Sequence, residues 1–291
     1  MREESFHGQT LCMEHSQLTV AVTGASGTQG GATARALLAD GHRVRAVNRR
    51  PIELPGAEAV RADFDDPGSL DRAFAGADAV FLVTTPFGTD LDTEIRHGVD
   101  AIDAAVRADV RHIVFTSATN ADRGTGIPHF DSKWVIERHL AQATDNWTVI
   151  APSAFMDNVA GGWASRSLRQ GKYSLPLSPG TPLKLIAAAD IGAFAALAIG
   201  RRKEFLGRRV DIASDERTGK EMASTLGTVL DRDVEFDAAS VEDVARYSAD
   251  LAAMFAYFER VGMDVDITRL RTDYPEIGWH TFADWAGKAL S

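Results

Sequence analysis

The sequence contains little of three features, and each shortage excludes a class of protein. Cys12 is the single cysteine among 291 residues, so no internal disulfide can form, which fits a reducing cytoplasm. Cys12 lies in a polar leader, which argues against a reactive thiol. The 31 Lys and Arg residues face 41 Asp and Glu residues, a formal net charge of -10. This balance argues against non-specific nucleic-acid binding, which needs a basic surface, but it does not exclude a protein partner.

Long apolar runs are also missing. The longest apolar region, residues 185–199, contains Asp190 and is shorter than the roughly 20 residues that span a bilayer. Residues 1–17 lack the apolar segment of a signal peptide. We expect them to form a disordered extension, in which Met13 is an alternative start to Met1. We therefore expect a cytoplasmic protein without membrane contacts, and the absence of HxxxH or HExxH spacing gives no support to a metal site.

What the sequence does contain is a strand, a glycine-rich loop, a helix and a second strand in close succession. The apolar, β-branched run 18–22 predicts a buried strand. Helix-forming residues follow over 32–39 and are stopped by Asp40 and Gly41. Residues 44–47 predict the second strand. This order is typical of the first βαβ unit of a dinucleotide-binding domain.

The loop in this unit has glycine at three positions that suit a dinucleotide. Gly24 permits a tight turn, Gly27 a close approach of backbone to a pyrophosphate, and Gly30 close packing of helix on strand. The helix N-terminus then presents N–H groups to phosphate. The spacing is GxxGxxG rather than GxGxxG, and a glycine-rich turn that binds nothing is the alternative. The predicted cofactor contacts in this loop are Gly24, Ser26, Gly27, Thr28, Gln29 and Gly30.

The end of the second strand indicates which dinucleotide is bound. An NAD site normally places Asp or Glu there to bind the ribose 2′-OH, whereas this chain has Asn48, Arg49 and Arg50. A guanidinium can bind a 2′-phosphate through two hydrogen bonds, and a carboxylate would repel it. We therefore predict NADP(H), with Arg49 as the leading phosphate contact and Arg50 as a second. The alternative is that both arginines are only solvated at a strand end.

Strands and helices continue to alternate after this unit. Predicted strands cover 59–63, 79–83, 112–116 and 147–150, and predicted helices cover 69–74, 93–108 and 128–142. This alternation predicts an α/β fold of the Rossmann type, a doubly wound parallel sheet over residues 18–154. In the helix 93–108 we expect the buried face to carry Ile95, Val99, Ile102 and Val106.

Ligands of such sheets bind beyond the carboxyl ends of the strands. We therefore add to the predicted cofactor contacts the residues that follow those ends. Taken singly, each hydroxyl among them is better explained as a turn or helix-cap residue, but their collection at the predicted ligand edge favours a shared site. These residues are Asn48, Asp63, Phe64, Thr84, Thr85, Thr116 and Ser117.

The second half of the chain has a looser pattern. We predict a smaller α/β region over 155–291 that covers the substrate, with some strands returning to the main sheet. Predicted strands lie at 183–187, 209–213 and 234–236, and predicted helices at 190–200, 218–230, 241–260 and 281–290.

Several segments carry a resemblance to a known family. They are VTGASGTQGG (22–31), VRAVNRRP (44–51), FLVTTPF (81–87), HIVFTSATNAD (112–122), IPHFDSKWVIERHL (127–140), VIAPSAFMDNVAG (149–161), AAADIGAFAALAI (187–199) and HTFADWAGKAL (280–290). Together they resemble the NmrA-like group of atypical short-chain dehydrogenases/reductases, over essentially everything from Leu18 onward. The resemblance implies a Rossmann domain, a small C-terminal domain and NADP(H) in the cleft.

The chain departs from ordinary short-chain dehydrogenases at one pattern. Those enzymes use Tyr-x-x-x-Lys, in which Tyr donates a proton and Lys binds the nicotinamide ribose. Here the corresponding pattern is His129-x-x-x-Lys133, which keeps both side chains on one helix face. The resemblance implies that Lys133 contacts the ribose. His129 is either the catalytic acid or a residue that shapes the pocket.

Two functions follow from the resemblance. The first is an NADPH-dependent reductase that transfers hydride to an electron-poor conjugated small molecule, such as a quinone, enone, azo or triarylmethane compound. The second is a nonenzymatic redox sensor that binds the dinucleotide and regulates a protein partner. The missing tyrosine favours the sensor, and the apolar pocket candidates favour the reductase, although each apolar candidate taken singly is better explained as a core residue. We prefer the reductase, because no interaction tail is evident. The pocket candidates are Phe87, Phe155, Met156, Asn158 and Trp163.

Overall fold

The computed structural model describes residues 17–86 and 88–290, with only the backbone of Gly162 and Trp163. The predicted disordered extension, apart from Gln17, lies outside the described residues, and so do Cys12 and both candidate start methionines. Phe87 also lies outside them.

Twelve strands and twelve α-helices are present in the described part of the chain. The strands are β1 (Thr19–Thr23), β2 (Arg43–Asn48), β3 (Glu58–Arg61), β4 (Ala79–Val83), β5 (His112–Thr116), β6 (Trp147–Pro152), β7 (Ala154–Phe155), β8 (Lys172–Leu175), β9 (Pro182–Ile186), β10 (Arg208–Ile212), β11 (Asp215–Thr218) and β12 (Glu235–Ala238).

The helices are α1 (Thr28–Ala39), α2 (Pro67–Phe74), α3 (Leu91–Arg107), α4 (Pro128–Ala143), α5 (Gly162–Arg169), α6 (Ala188–Gly200), α7 (Arg202–Phe205), α8 (Gly219–Val229), α9 (Val241–Tyr247), α10 (Ala249–Arg260), α11 (Ile267–Asp273) and α12 (Phe282–Ala289). Short 3-10 turns lie at Ala121–Arg123, Met156–Ala160 and Pro275–Ile277. None of the described helices combines the length and the apolar character needed to cross a membrane.

The main sheet has seven strands in the order β10-β6-β5-β4-β1-β2-β3. Every neighbouring pair is parallel. β4 is apolar throughout and β5 is apolar at its three central residues, and both are almost wholly buried, because helices cover both faces of a parallel sheet. The predicted Rossmann-type, doubly wound α/β fold is confirmed.

Two helical layers cover this sheet. On one face α1 and α6 pack together over β1, with Leu37 and Phe194 in the shared core. The approach is close, because a Cβ on Gly192 of α6 would lie 2.5 Å from the backbone carbon of Ala32 in α1. On the other face α2, α3 and α4 bury Phe74, among others, against the sheet.

The predicted buried face of α3 is wrong in detail. Ile102 is buried, but Val106 is 39% exposed, and the buried positions are Glu94, Gly98, Ala101, Ile102, Ala104 and Ala105. α3 therefore presents small residues to its neighbour. A Cβ on Gly98 would lie 2.6 Å from Cδ1 of Ile136 in α4, and this close contact rotates the larger Val106 towards solvent.

The C-terminal half contributes one strand to the main sheet and forms two small sheets of its own. β10 pairs with β6 at the sheet edge, as expected for a strand that returns. The small sheets are β11-β9-β7 and β12-β8. Sequence patterns did not indicate β8, β11, α5 or α11.

The predicted long helix 241–260 is also wrong, because it is interrupted at Ser248. This residue has an extended backbone, and its hydroxyl accepts a hydrogen bond from the N–H of Leu251. It therefore caps a new helix, α10. The interruption places Asp250 in the first turn of α10.

A buried histidine joins β5 to β6. Nε2 of His112 lies 2.8 Å from the Thr148 hydroxyl, which itself donates to the carbonyl oxygen of Phe205. The hydroxyl must therefore accept from Nε2–H, and Nδ1 has no hydrogen-bond partner among the described residues. Burial, with the nearby Arg202 charge, lowers the pKa of His112 to about 4.

This histidine makes the fold sensitive to acid. The unfolded chain protonates His112 near its ordinary pKa of 6.5, whereas the folded chain does so only near 4, so stability falls as the pH drops through this window. Between pH 7 and pH 5 we expect His112 to account for a loss of about 2 kcal/mol of unfolding free energy. Urea unfolding at both pH values gives the unfolding free energy of the wild type and of His112→Gln, which keeps a donor for Thr148. The difference in pH dependence between the two proteins is the contribution of His112. Equal pH dependence in the two proteins would contradict the assignment.

Candidate functional site

The strand order creates a crevice at one place in the main sheet. β1 lies between β2 and β4, so the connections that leave β1 and β4 run in opposite directions along the sheet. In open α/β sheets this switch point, outside the carboxyl ends, is where ligands bind. The loops that follow β1, β2, β4 and β5 meet there.

The loop after β1 is shaped by its glycines. Gly24 has a φ of +60°, a left-handed conformation that glycine adopts without strain. A Cβ on Gly30 would lie 2.3 Å from the carbonyl oxygen of Gly24. Only glycine therefore allows the first turn of α1 to touch the end of β1, which is the packing predicted for Gly30.

Among the described residues, no side chain caps the N-terminus of α1. Its N-cap, Gly27, offers no side chain, and its first turn, which begins with Thr28, contains no acidic residue. By contrast, Asp66 and Asp90 cap α2 and α3. Free N–H groups and the positive end of a helix dipole suit an anionic ligand. The cradle therefore fits the pyrophosphate of a dinucleotide.

Asn48 fixes this loop to the end of β2. Its Oδ1 accepts from the Ser26 N–H at 3.1 Å and from the Ser26 hydroxyl at 3.0 Å. Its buried Nδ2 has no hydrogen-bond partner among the described residues. Buried amide donors are normally paired, so the crevice contains a donor that a ligand can satisfy.

The neighbouring arginines face solvent beside the loop. Arg49 and Arg50 are both exposed, and neither forms an ion pair within the described part of the chain. Two unpaired guanidinium groups at the end of β2 provide the positive charge that a 2′-phosphate needs.

The segment after β3 is held by hydrogen bonds between backbone N–H groups and side chains and by one ring contact. The Asp63 N–H donates to the Ser69 hydroxyl at 2.9 Å, and Asp63 Oδ1 accepts from the N–H of Asp65 at 3.2 Å. Phe64 stacks on His97, with ring centroids 5.3 Å apart. Both predicted contacts are half-buried and follow β3, the strand that pairs with β2.

Hydroxyl groups at the ends of β4 and β5 are engaged with the protein. The Thr116 hydroxyl donates to Oε1 of Gln29 at 2.6 Å, which joins the end of β5 to α1. The Ser117 hydroxyl donates to the buried Glu137. Thr84 is buried, and Thr85 is exposed. The structure thus brings these predicted residues to one edge of the sheet. The hydroxyls of Thr84, Thr116 and Ser117 also stabilise that edge through hydrogen bonds within the protein.

Lys133 lies in a closed, buried cluster. Its Nζ is 2.6 Å from the Thr84 carbonyl oxygen, 2.9 Å from the Thr84 hydroxyl and 2.8 Å from Oε1 of Glu94. Glu94 is fully buried and also accepts from the Ser132 hydroxyl at 2.6 Å. Burial lowers the pKa of Lys133, and the Glu94 carboxylate opposes this shift.

His129 is held by a carboxylate from the C-terminal half. Its Nδ1 lies 2.7 Å from Oδ1 of Asp250, which also accepts the His129 backbone N–H at 3.3 Å. The pair is mostly sheltered, with side-chain exposures of 12% and 24%. Because His129 is near the N-terminus of α4, it lies at the carboxyl edge of the sheet, one turn from Lys133.

A second buried network supports the same edge. Glu137 accepts from the Ser117 hydroxyl and from Nε of Arg209 at 2.9 Å. Arg209, in β10, also donates to the carbonyl oxygen of Ala118 at 2.9 Å. Burial raises the pKa of Glu137, although the Arg209 charge opposes it. The network fastens the C-terminal half to the end of β5.

The pocket candidates have different environments. Phe155 is half-buried and Asn158 exposed. Met156 has no exposed surface and packs in the core of the C-terminal half. Phe87 and the side chain of Trp163 lie outside the described residues.

Four buried or half-buried charges were missed from the sequence: Glu94, Glu137, Arg209 and Asp250. Glu94 follows an N-cap and was indistinguishable from a solvated first-turn acid. Its spacing to Gly98, Ala101 and Ala105 was the available signal, because these residues form one helix face. Asp250 was hidden by the assumption of one long helix.

The fold and the crevice define an α/β protein of the Rossmann type. A sequence profile of the NmrA-like family matches residues 16–286. The chain therefore belongs to the NmrA-like family, as the resemblance indicated.

Similar proteins have been characterised and solved. A Streptomyces griseus (4-alkanoyl-5-oxo-2,5-dihydrofuran-3-yl)methyl phosphate reductase is 30% identical over 92% of this chain and 97% of its own. The structure of NmrA, a negative transcriptional regulator, in complex with NADP has a TM-score of 0.78 at 20% identity, covering 94% and 95% of the two chains. An Escherichia coli NADPH-dependent quinone oxidoreductase complexed with NADPH has a TM-score of 0.76 at 22% identity, covering 94% and 100%.

Proposed function

We propose that the protein is an NADPH-dependent reductase of an electron-poor conjugated small molecule. The observation that carries this proposal is the crevice itself, where Asn48 is bonded to the loop before the uncapped N-terminus of α1. The next residue, Arg49, is exposed and has no ion pair among the described residues. When bound, NADPH supplies a hydride to the acceptor. The protein residues hold the cofactor and provide the proton.

NADP(H) is supported as the cofactor by two independent features. The cradle formed by Gly24, Gly27 and Gly30 suits the pyrophosphate, and the arginines suit the 2′-phosphate. Two solved structures of this fold were determined with NADP or NADPH. Asp63, Phe64 and Thr85 are the proposed contacts at the rim.

The absence of the usual tyrosine acid from the described part of the crevice supports a conjugated acceptor. The position of the usual tyrosine is taken by His129, and the positive charge of Lys133 is offset by Glu94. Reduction of a quinone or enone needs less acid assistance than reduction of a simple ketone, because the resulting anion is delocalised over the conjugated system, whereas a ketone gives a localised alkoxide. The Streptomyces relative is named as the reductase of a dihydrofuranone, which is an unsaturated ring carbonyl compound.

His129 is the proposed proton donor. Asp250 fixes the orientation of its ring through the contact with Nδ1. After hydride addition, the oxygen that receives the electron pair takes its proton from His129, which solvent then reprotonates. Phe155 and Asn158 are the proposed pocket residues.

The proposed activity is tested by oxidation of NADPH at 340 nm with a panel of quinones, enones, azo dyes and triarylmethane dyes. We expect turnover with at least one class and none with simple ketones. Tight NADPH binding without turnover of any acceptor would contradict the reductase and support the redox sensor with a protein partner.

Arg49→Ala should weaken NADPH binding selectively. Loss of a charged hydrogen bond to the 2′-phosphate, worth about 1.5–3 kcal/mol, should raise the Kd of NADPH about 10- to 150-fold and leave the Kd of NADH nearly unchanged. Titration calorimetry measures both constants, with Arg50→Ala as the matched neighbour, for which we expect a smaller effect. Equal losses for the two dinucleotides would defeat the phosphate assignment.

His129→Phe should separate proton donation from pocket shape. The ring remains but the proton is lost, so kcat should fall about 100-fold while the Kd of NADPH changes little. His139→Phe is the control, since His139 is on the same helix and pairs with Asp103 at 2.7 Å. Unchanged kcat in His129→Phe would leave this residue a purely steric role.

A further inference from the structure

Glu94 and Lys133 form an ion pair that is closed within the protein. An ammonium group has three N–H donors, and three acceptors lie within 2.9 Å of Nζ: the carbonyl and hydroxyl oxygens of Thr84 and Oε1 of Glu94. The side-chain exposures are 10% for Lys133 and 0% for Glu94. Every donor of Lys133 is therefore used inside the fold.

Glu94 is equally well satisfied. Its Oε1 accepts from Lys133 and from the Thr84 hydroxyl at 3.0 Å, and its Oε2 accepts from the Ser132 hydroxyl at 2.6 Å. The four residues come from α3, α4 and the end of β4. A lysine that turned towards a ribose would leave a buried carboxylate or carbonyl without its partner, and such a loss is strongly unfavourable.

Thr84 connects this cluster to the crevice. It follows directly after β4, and β4 borders β1 at the switch point of the sheet. Both polar oxygens of Thr84 are bound by the pair, so the pair determines where the chain leaves the strand.

We infer that Glu94 is the internal counter-ion of Lys133, and that the pair acts as a positioning device for Thr84 rather than as a direct contact to the cofactor. The inference rests on the proposed binding of NADP(H). It assigns to Glu94 a role that the sequence did not indicate and changes the role expected for Lys133.

A double-variant cycle tests this inference. Lys133→Met and Glu94→Gln each leave one buried partner alone. Each should lower Tm by about 6–15 °C and raise the Kd of NADPH about tenfold. The double variant removes both charges, so Tm should return to within about 3 °C and Kd to within about threefold of the wild type.

The control pair is Lys184 and Glu216, which lie 3.1 Å apart with Glu216 44% exposed. Lys184→Met and Glu216→Gln should change Tm and Kd less than the variants of the buried pair, because Glu216 is solvent-exposed and solvated carboxylates contribute little to an ion pair. The inference is overturned if the double variant regains Tm while Kd stays about tenfold raised, since Lys133 would then touch the cofactor. It is equally overturned if the single variants keep the wild-type Tm or the double variant does not recover.

Lysine acetylation of the wild type provides a test that needs no variant to fold. Lys133 should remain unmodified with and without NADPH, whereas the exposed Lys172 and Lys220 should be modified in both states. Modification of Lys133 in the free protein overturns the inference. If the wild type binds no NADPH, the proposed function fails, and so does the proposed effect of the pair on NADPH affinity. The Tm values of the single and double variants still decide whether Glu94 and Lys133 are paired.

Discussion

The close approach of α1 to the end of β1 is the constraint on which the crevice depends. Gly30 allows it, because a Cβ there would lie 2.3 Å from the Gly24 carbonyl oxygen. The same helix is fixed from behind by α6, where Gly192 removes a clash with the backbone of Ala32. α1 is therefore held between two backbone contacts, and its N-terminus is directed at the switch point of the sheet.

Charges around the crevice divide into internal and outward-facing groups. Lys133 with Glu94 and Arg209 with Glu137 are neutralised inside the fold, where they join helices and strands. Arg49 and Arg50 are exposed at the rim. This division concentrates the available positive charge where a 2′-phosphate would lie, and it leaves His129 with Asp250 as the proposed source of a proton.

The features predicted correctly from the sequence are local ones. Glycine spacing, apolar strands and the alternation of strands with helices depend on neighbouring residues, so the βαβ unit and the Rossmann-type sheet were predictable. Partners distant along the chain were not, since Glu94 meets Lys133 and His129 meets Asp250 only through tertiary packing. The break at Ser248 had a signal, because a serine followed by an acid two positions later is typical of a helix start. The face of α3 was mispredicted because small residues, not large ones, make its closest contact.

Titration calorimetry of the wild-type protein with NADPH and with NADH measures whether this crevice binds a phosphorylated dinucleotide. We expect both to bind, with NADPH about 10- to 150-fold more tightly bound. Absence of binding heat with either dinucleotide, or NADH binding as tightly as NADPH, would contradict this expectation.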